Sequence, residues 1–361
     1  MAARVTLQTI ADRVGVSRMT VSNAFSKPDQ LSAPLRERIL AAAQELGYVG
    51  PDPAARALAK GSTGAVGVVF THSLRFAFTD LVATGFLGAI AEELAPTGLS
   101  ITLLTSADEG DIVPARDVPM DGALLYSCDW SSRAVDFLHR RRLPLVYVDQ
   151  DPADDIPSVN VDDRGGARAA ARHLLDLGHR RIGLLMSGTY GPYGLVGDLH
   201  DAGVVDGHSS RQRLLGWLDE LVPAGAEVIA ARQDGTGLEQ ARWGARLLLD
   251  RPDRPTALLC FSDAVAYGAL QVAAELGIDV PGRLSVVGFD DNPLAAQVRP
   301  GLTTIRQDIA AKGKAAAATL TAAIARAKAG TPAPAEHVVL PTELVIREST
   351  APRAEPGEHL R

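Results

Sequence analysis

From residue 64 onward, short apolar runs alternate with longer stretches in which apolar residues recur at helical spacing. The apolar runs predict strands at residues 64–71, 99–106, 121–128, 144–150, 181–188, 227–232, 256–262 and 284–290. The stretches between them predict helices, among them residues 80–94, 165–177, 211–221, 238–249 and 263–276. Alternation of this kind is typical of βαβ construction, and the units suffice for about two parallel sheets flanked by helices. We therefore expect an α/β fold for this part of the chain.

The N-terminal part follows the helical period throughout. Segment 6–26, TLQTIADRVGVSRMTVSNAFS, predicts two short helices joined by a tight turn. Thr6 and Ser17 each stand one residue before an apolar-periodic stretch, where helix N-caps are favoured. A bihelical unit also needs a small residue at the helix contact, a turn residue that tolerates positive φ, and a branched apolar residue on the second helix. The sequence has Ala11, Gly15 and Val21 at those places, which predicts an N-terminal all-α helix-turn-helix headpiece.

Two more helices are expected before residue 62. Ser32 as N-cap and Pro34 in the first turn predict a third helix that stops at Gly47. After it the sequence loses large apolar residues, but PAARALAKG at 53–61 keeps a short helical pattern. This segment is either a hinge helix or an Ala-rich linker of no set structure, and both hold if it folds only on DNA.

The second helix of the headpiece carries the side chains best suited to reading DNA. Arg18, Met19 and Asn23 lie near its N-terminus, and this end of a helix-turn-helix enters the major groove. Arg and Asn can form paired hydrogen bonds with guanine and adenine, and Met offers apolar contact. Hydroxyl side chains suit phosphate oxygens, and the hydroxyl residues that we expect to bind DNA are Thr6, Ser17, Thr20 and Ser22. The alternative is a small three-helix domain that packs against protein.

The hinge segment adds a candidate for the minor groove, because Leu58 can act as a wedge between base steps, with Ala55 on the same helix. Together, VTLQTIADRVGVSRMTVSNAFS and LSAPLRERILAAAQELGYVGPDPAARALAKG resemble the lactose-repressor (LacI/GalR) family of bacterial transcription regulators. The resemblance covers nearly the whole chain. It implies that Arg18, Met19 and Asn23 read bases and that Leu58 enters the minor groove. Asn23 stands where many members carry Arg.

The resemblance also implies how the rest of the chain is organised. It implies a two-lobed core like the type I periplasmic binding proteins, a homodimer, operator DNA as partner and a small effector between the lobes. The expected domains are a headpiece at 1–51, a hinge helix and linker at 52–63, an effector-binding and dimerisation core at 64–348 and a polar tail at 349–361. The expected function is sequence-specific regulation of transcription, most often repression in such families.

Charge and composition fit a DNA-binding regulator. The net charge is -7, but residues 1–61 hold eight Lys and Arg against five acidic residues, and the remainder holds 28 against 38. A basic headpiece on an acidic body is expected if only one end contacts phosphate. No apolar run reaches about 18 residues and no signal segment is found, so a cytoplasmic location is expected. Cys128 and Cys260 lie in apolar runs and are expected to be buried thiols.

Polar residues follow the predicted strands, and in open parallel sheets ligands bind at the carboxyl ends of strands. Asp149 and Asp290 end two strands and can accept hydroxyl hydrogens, and Arg213 can reach the cleft from the first turn of its helix. Ser262 begins another helix. Phe76 and Phe78 follow the first strand and can stack on a ligand or cover it.

The resemblance implies that Asp149, Arg213, Ser262 and Asp290 contact the effector, with Ser262 in place of the usual Asn. The alternative for each of these four residues is a purely structural role. The neighbouring Asp263 is expected to be a helix N-cap. The expected effector is a sugar or related polyhydroxylated metabolite, with a purine as the alternative.

Segment 187–210 is Gly-rich and has neither helical nor strand period, which predicts a long functional or mobile loop. Its His200 and His208, with nearby acids, resemble metal ligands, but loop tips commonly carry these residues, and no metal or cofactor is expected. The sequence lacks GxxxxGK[ST], GxSxG and HExxH motifs and a helix-opening GxGxxG. The rival classes are a sugar-handling enzyme with an appended DNA-binding domain and a transport receptor, and we expect no enzyme.

Overall fold

The computed structural model describes residues 5–50, 52–70, 74–105, 113–128, 132–188, 192–199, 207–331 and 333–353. The chain divides into two compact units, residues 1–64 and 65–361. Among the described residues, no helix combines the length and the apolar character needed to cross a membrane.

The first unit is built from helices α1 (Leu7–Val14), α2 (Arg18–Ser26), α3 (Ala33–Glu45) and α4 (Pro53–Lys60). Both predicted N-caps are present: the Thr6 hydroxyl accepts from the Thr9 amide, and the Ser17 hydroxyl accepts from the Thr20 amide. Gly15 ends α1 at φ +79°, a conformation that favours glycine. Helices α1 to α3 enclose a small core that includes Ile10, Ala11, Val21, Ala24, Ile39 and Ala43.

Two details of the first unit refine the expectation. Ser32 precedes α3, but its side chain makes no capping hydrogen bond, so the helix start depends on Pro34 in the first turn. Residues 53–60 form helix α4, which Gly61 ends at φ +62°, and the structure therefore has a helix where an unstructured linker was the alternative.

The second unit contains two sheets, each with helices on both faces. Its strands are β1 (Ala65–Phe70), β2 (Ser100–Thr105), β3 (Ala123–Tyr126), β4 (Leu145–Val148), β5 (Ser158–Val161), β6 (Arg181–Gly188), β7 (Gly194–Val196), β8 (Glu227–Asp234), β9 (Ala257–Cys260), β10 (Ser285–Asp290), β11 (Thr303–Gln307), β12 (His337–Leu340) and β13 (Thr342–Val345). Its helices are α5 (Leu74–Thr79), α6 (Leu81–Leu94), α7 (Pro114–Asp117), α8 (Arg133–Arg140), α9 (Asp163–Asp176), α10 (His208–Leu221), α11 (Leu238–Leu249), α12 (Asp263–Glu275), α13 (Pro293–Gln297) and α14 (Ile309–Ala329).

We call the two sheets and their helices the first and second lobes. The first lobe has a six-stranded sheet of order β12–β5–β4–β3–β1–β2 whose pairings are all parallel. The second lobe has a seven-stranded sheet of order β13–β11–β10–β9–β6–β8–β7, in which the two edge strands pair antiparallel. Helix α14 packs its small residues into the core of the first lobe beside Val66, Phe86 and Val146. The predicted two-lobed α/β architecture is confirmed.

The chain crosses between the lobes after β5, after β11 and after β12. The first and third crossings lie side by side, because the Asp162 amide donates to the Leu340 carbonyl at 2.8 Å and the Thr342 hydroxyl donates to the Asp162 carbonyl at 3.0 Å. The lobes are therefore joined along one edge, where rotation of one lobe against the other must be absorbed.

All eight predicted strands and five predicted helices are present, with ends within three residues of the expectation. Segment 187–210 was wrongly expected to lack regular structure, since β6 reaches Gly188, β7 lies within it and α10 begins at His208. Strand β7 is an edge strand held by ladder hydrogen bonds to β8, so it has no apolar run to reveal it. The polar tail was placed too early, because the buried Ser349 donates to the Val286 carbonyl.

Candidate functional site

A cavity of about 930 Å³ lies between the two lobes at the carboxyl ends of their strands. This is where ligands bind open parallel sheets, and the volume lies within the usual range for small-molecule sites. Three non-glycine residues that line the cavity have positive φ, at +49° for Ser127, +53° for Asp149 and +115° for Asp290. Such conformations are costly and cluster at active sites and ligand clamps. Five of the six predicted effector residues line the cavity: Phe76, Asp149, Arg213, Ser262 and Asp290.

Asp149 follows β4 and is 5% exposed. Its Oδ2 accepts a hydrogen bond from Lys312 Nζ at 2.6 Å, whereas its Oδ1 is buried and has no partner among the described residues. The neighbouring Gln150 repeats the pattern, since its Nε2 donates to the Cys128 carbonyl at 2.6 Å and its Oε1 has no partner there. Two residues of the first lobe that line the cavity therefore each have a buried acceptor without a partner among the described residues.

Arg213 is 4% exposed and is bonded in several directions. Its Nε donates to Asp163 Oδ1 at 2.7 Å, and its Nη1 donates to the Phe261 carbonyl at 2.5 Å. The guanidinium carbon lies 3.7 Å from the ring centroid of Phe289. Burial lowers the pKa of Arg213, but the carboxylates of Asp163 and Asp290 raise it by more, so the group stays charged. Arg213 lies in the second turn of α10 and not the first, because the helix begins at His208.

Asp290 ends β10 beside this guanidinium. Its Oδ1 accepts from Gln307 Nε2 at 2.7 Å and lies 3.6 Å from Arg213 Nη2. Burial raises the pKa of Asp290 to about 7, against the opposing effect of Arg213. The carboxyl therefore keeps its proton to a higher pH than an exposed aspartate does.

Ser262, and not Asp263, is the N-cap of α12, since its hydroxyl accepts from the Val265 amide at 3.2 Å. The Ser262 proton remains available as a donor toward the cavity. Asp263 is wholly buried and accepts from the Thr304 hydroxyl at 2.5 Å and from the Asn292 amide at 3.0 Å. Burial, together with the charge of Asp290, holds the pKa of Asp263 well above its usual value. Its role is to fasten β11 and α13 to the start of α12.

The two phenylalanines of α5 differ in position. Phe76 is half-buried, lines the cavity and packs edge-on against Phe70 at 6.4 Å between ring centroids. Phe78 is 68% exposed and does not line the cavity. Two residues apart on a helix, the side chains point about 200° apart, so only one of them can face the cleft. The expectation for Phe78 was wrong for this reason.

Sequence reasoning missed the residues that join the cleft's two sides. Lys312 bonds to both Asp149 and Gln307, and it lies in an Ala-rich helix that carries no motif. At the rim, Asp151 of the first lobe lies 2.8 Å from His208 Nδ1 and accepts from Arg211 Nη2 of the second lobe at 2.5 Å. Burial works to raise the pKa of Asp151, but these two partners lower it overall. The position of Asp151 just after β4 was the available signal.

The candidate DNA-reading surface lies on α2. Arg18 is exposed, Met19 is 69% exposed, and Asn23 is half-buried with its amide donating to Gln30 Oε1 at 3.2 Å. The hydroxyls of Ser17 and Thr20 lie 2.8 Å apart, and the Ser17 hydroxyl caps α2. On α4, Leu58 is 87% exposed. Thr6 is exposed at the start of α1 and Ser22 is half-buried on α2, whereas the side chain of Ala55 lies outside the described residues.

Some sequence expectations fall outside the described residues, among them the acids and His200 of the 200–206 segment. Elsewhere in the described chain, no cluster of three or more His, Cys, Asp or Glu is arranged to hold a metal ion. Cys128 and Cys260 are buried thiols, as expected, and burial raises the pKa of the Cys260 thiol.

Two protein-family models match this chain. One, described as bacterial regulatory proteins, lacI family, matches residues 6–50, and the other, described as a periplasmic binding protein-like domain, matches residues 171–350. An HTH-type transcriptional regulator of Mycolicibacterium smegmatis is 37% identical over 331 residues, which cover 87% of this chain and 89% of the relative.

Solved structures extend the similarity to nearly the full length. A complex of the transcriptional regulator CelR with cellobiose is 27% identical, with a TM-score of 0.68, and the match covers 96% of this chain and 100% of that one. The Lac repressor dimer bound to operator and the anti-inducer ONPF is 25% identical, with a TM-score of 0.78, and the match covers 97% of this chain and 100% of that one. The proteins that this chain resembles along both units are regulators of transcription.

Proposed function

We propose that this chain, which belongs to the lacI family of bacterial regulatory proteins, is a repressor controlled by a neutral, polyhydroxylated effector. Family membership makes it a DNA-binding transcription regulator and not an enzyme. The observation that carries the proposal is the cavity between the lobes, lined at the strand ends by Asp149, Arg213, Ser262 and Asp290.

The chemistry of the cavity favours hydroxyl groups over anions. Asp149 Oδ1 and Gln150 Oε1 are buried acceptors without partners among the described residues, so a ligand that donates hydrogen bonds there is stabilised. Arg213 and Lys312 are the buried cations beside these groups, and both are already bonded to carboxylates. A phosphate or carboxylate would have to displace those carboxylates. Cellobiose, which CelR binds in its complex, is a neutral sugar of the class that we propose.

We assign the DNA contacts to α2 and α4. Arg18, Met19 and Asn23 read base edges in the major groove, and the hydroxyls of Thr6, Ser17, Thr20 and Ser22 contact phosphates. Leu58 enters the minor groove, with Ala55 beside it. Residues 1–61 carry a net charge of only +3, from eight Lys and Arg against five acids, so we propose that a homodimer supplies two headpieces for useful affinity.

Ligand control follows if the effector prefers one degree of lobe closure. We keep 1–51 as the headpiece and 52–63 as hinge helix and linker, and we extend the core beyond 64–348 to include the buried Ser349, so that lobe motion acts on the hinge. Coupling of about 1–3 kcal/mol between effector and DNA is ordinary for such proteins, and it is reciprocal.

The test begins with thermal-shift measurements on the full chain against neutral sugars including cellobiose, sugar phosphates and purine bases. We expect a neutral sugar to raise the melting temperature, and Asp290→Asn to abolish that shift. The control Asp253→Asn changes an acid of the second lobe that is 52% exposed and lies outside the cavity, and it should keep the full shift. Stabilisation only by purines or by sugar phosphates would overturn the effector class.

A further inference from the structure

Lys312 has no part in the proposed effector contacts, yet it is one of the most enclosed charges of the chain. It is 1% exposed. Its Nζ donates to Asp149 Oδ2 at 2.6 Å and to Gln307 Oε1 at 2.8 Å, and it lies 5.6 Å from the ring centroid of Tyr126. A buried ammonium must be paired and hydrogen-bonded to be tolerated, and these partners provide both conditions.

The partners of Lys312 lie on opposite sides of a crossing between the lobes. Gln307 is the last residue of β11 in the second lobe, and Asp308 caps α14, which packs in the first lobe. Lys312 follows one turn into α14, and Asp149 directly follows β4 of the first lobe. The bond from Lys312 to Gln307 therefore spans the backbone that must rotate when the lobes move.

The same chain of bonds continues to the second carboxylate of the cleft. Gln307 donates through Nε2 to Asp290 Oδ1 at 2.7 Å while its Oε1 accepts from Lys312. Both functional ends of the Gln307 amide are thus used, one toward each lobe. Asp149 and Asp290 are joined through two side chains, although they lie 141 residues apart in sequence.

We propose that Lys312 is a positioning residue that pins the crossing between β11 and α14 and fixes the separation of Asp149 and Asp290. The assignment of these two carboxylates as effector contacts rests on the proposed function. The pinning of the crossing by Lys312 does not, because it is present in the chain without ligand. Lys312 bonds to Oδ2 of Asp149, and Oδ1 is the oxygen of this carboxylate that has no partner among the described residues.

The decisive variant is the double substitution Asp149→Asn with Lys312→Met. It removes both charges together, so no buried charge is left unpaired and the protein should fold. Spin labels on cysteines introduced at Arg140 on α8 and Glu239 on α11 report the distance between lobes, and the buried native thiols do not compete for the label. Dilution with unlabelled protein restricts the signal to distances within one chain.

We expect one narrow distance for the wild type and loss of that single distance, by widening or shift, in the double variant. Lys314→Met is the matched control, because Lys314 lies on the same helix, is 52% exposed and is 4.0 Å from Glu92. It should keep the wild-type distance. An unchanged distance in the double variant would overturn the pin, whatever the protein's response to sugars.

Thermal melting supplies a second measurement. Lys312→Met alone leaves the Asp149 carboxylate unpaired and should lower the melting temperature by roughly 5–10 °C. Adding Asp149→Asn should recover at least half of that loss. If the two substitutions are simply additive, Lys312 and Asp149 are not coupled and the proposed arrangement is wrong.

Discussion

The headpiece and the cleft use arginine in opposite ways. Arg18 on α2 is exposed and has no partner among the described residues, whereas Arg213 in the cleft is 4% exposed, bonded to Asp163 and stacked on Phe289. The headpiece keeps its charge in water until it meets DNA. The cleft has its charges arranged before any ligand arrives. We therefore expect DNA binding to weaken steeply with added salt and effector binding to change little.

The largest expected effect is a difference in protein stability between substitution of Arg213 and substitution of Arg18. Arg213→Met leaves Asp163 and Asp290 without their buried partner and should reduce the free energy of unfolding by about 3–5 kcal/mol. Arg18→Met should change it by no more than about 0.5 kcal/mol, because an exposed side chain loses no contact. Chemical unfolding of both variants provides the measurement. Equal losses would remove the contrast between the two regions.

The pH dependence of the free energy of unfolding tests whether Asp290 is buried in the cleft before any ligand binds. The pKa of Asp290 is about 7 in the folded chain against an ordinary value of 3.8, so the folded state binds the extra proton between these limits. The folded state is therefore favoured as the pH falls from about 7 toward about 4, and this contribution is lost as the pH rises through 7.

Asp290→Asn cannot titrate, so the stability of the wild type relative to this variant should decline from pH 5 to pH 8. Melting temperatures across that range measure the difference. Asp253→Asn serves as control, since this acid is 52% exposed and its hydrogen bond with Arg251 lowers its pKa. If Asp290→Asn has the same pH slope as the wild type, Asp290 does not titrate in this range.

Base reading by the headpiece should show a smaller and more selective effect. Arg18→Ala or Asn23→Ala should cost about 1–3 kcal/mol at one or two operator base pairs and relax the preference there. Arg13→Ala removes a charge from α1, outside the proposed reading surface, and should weaken all sequences alike. Anisotropy titrations with single-base operator variants distinguish the two. A loss for Arg18→Ala that is equal on operator and random duplexes contradicts base reading.

The smallest expected effect concerns the hinge. Leu58→Ala shortens the exposed side chain proposed as a wedge and should reduce the bend in bound operator. Val49→Ala is the control, since Val49 is also fully exposed and is not assigned to DNA. Circularly permuted duplexes in gel mobility measurements report the bend angle. An unchanged angle with Leu58→Ala would exclude the wedge.

The two regions also differ in how far the sequence predicts them. The helix-turn-helix is specified locally, because Thr6, Ser17 and Gly15 determine helix ends within a few residues of themselves. The cleft carboxylates were found because parallel strands bring their carboxyl ends to one edge, so Asp149 and Asp290 could be paired without knowing the packing.

What was missed in the cleft depends on tertiary contacts. Lys312 reaches Asp149 across 163 residues of sequence, and its surroundings in α14 are ordinary for an exposed helix. Phe78 was assigned to the cleft because the start of α5 was not predicted, and helix phase decides which phenylalanine faces inward. Burial of Arg213 between two rings likewise depends on which strands are neighbours in the second sheet.

The most direct test of the coupling between effector binding and DNA binding is a pair of titrations on the full chain. One measures operator affinity with and without the stabilising sugar, and the other measures sugar affinity with and without operator. We predict that each ligand changes the affinity of the other by the same factor, equivalent to about 1–3 kcal/mol. Sugar binding that leaves operator affinity unchanged would contradict control of DNA binding through the cleft.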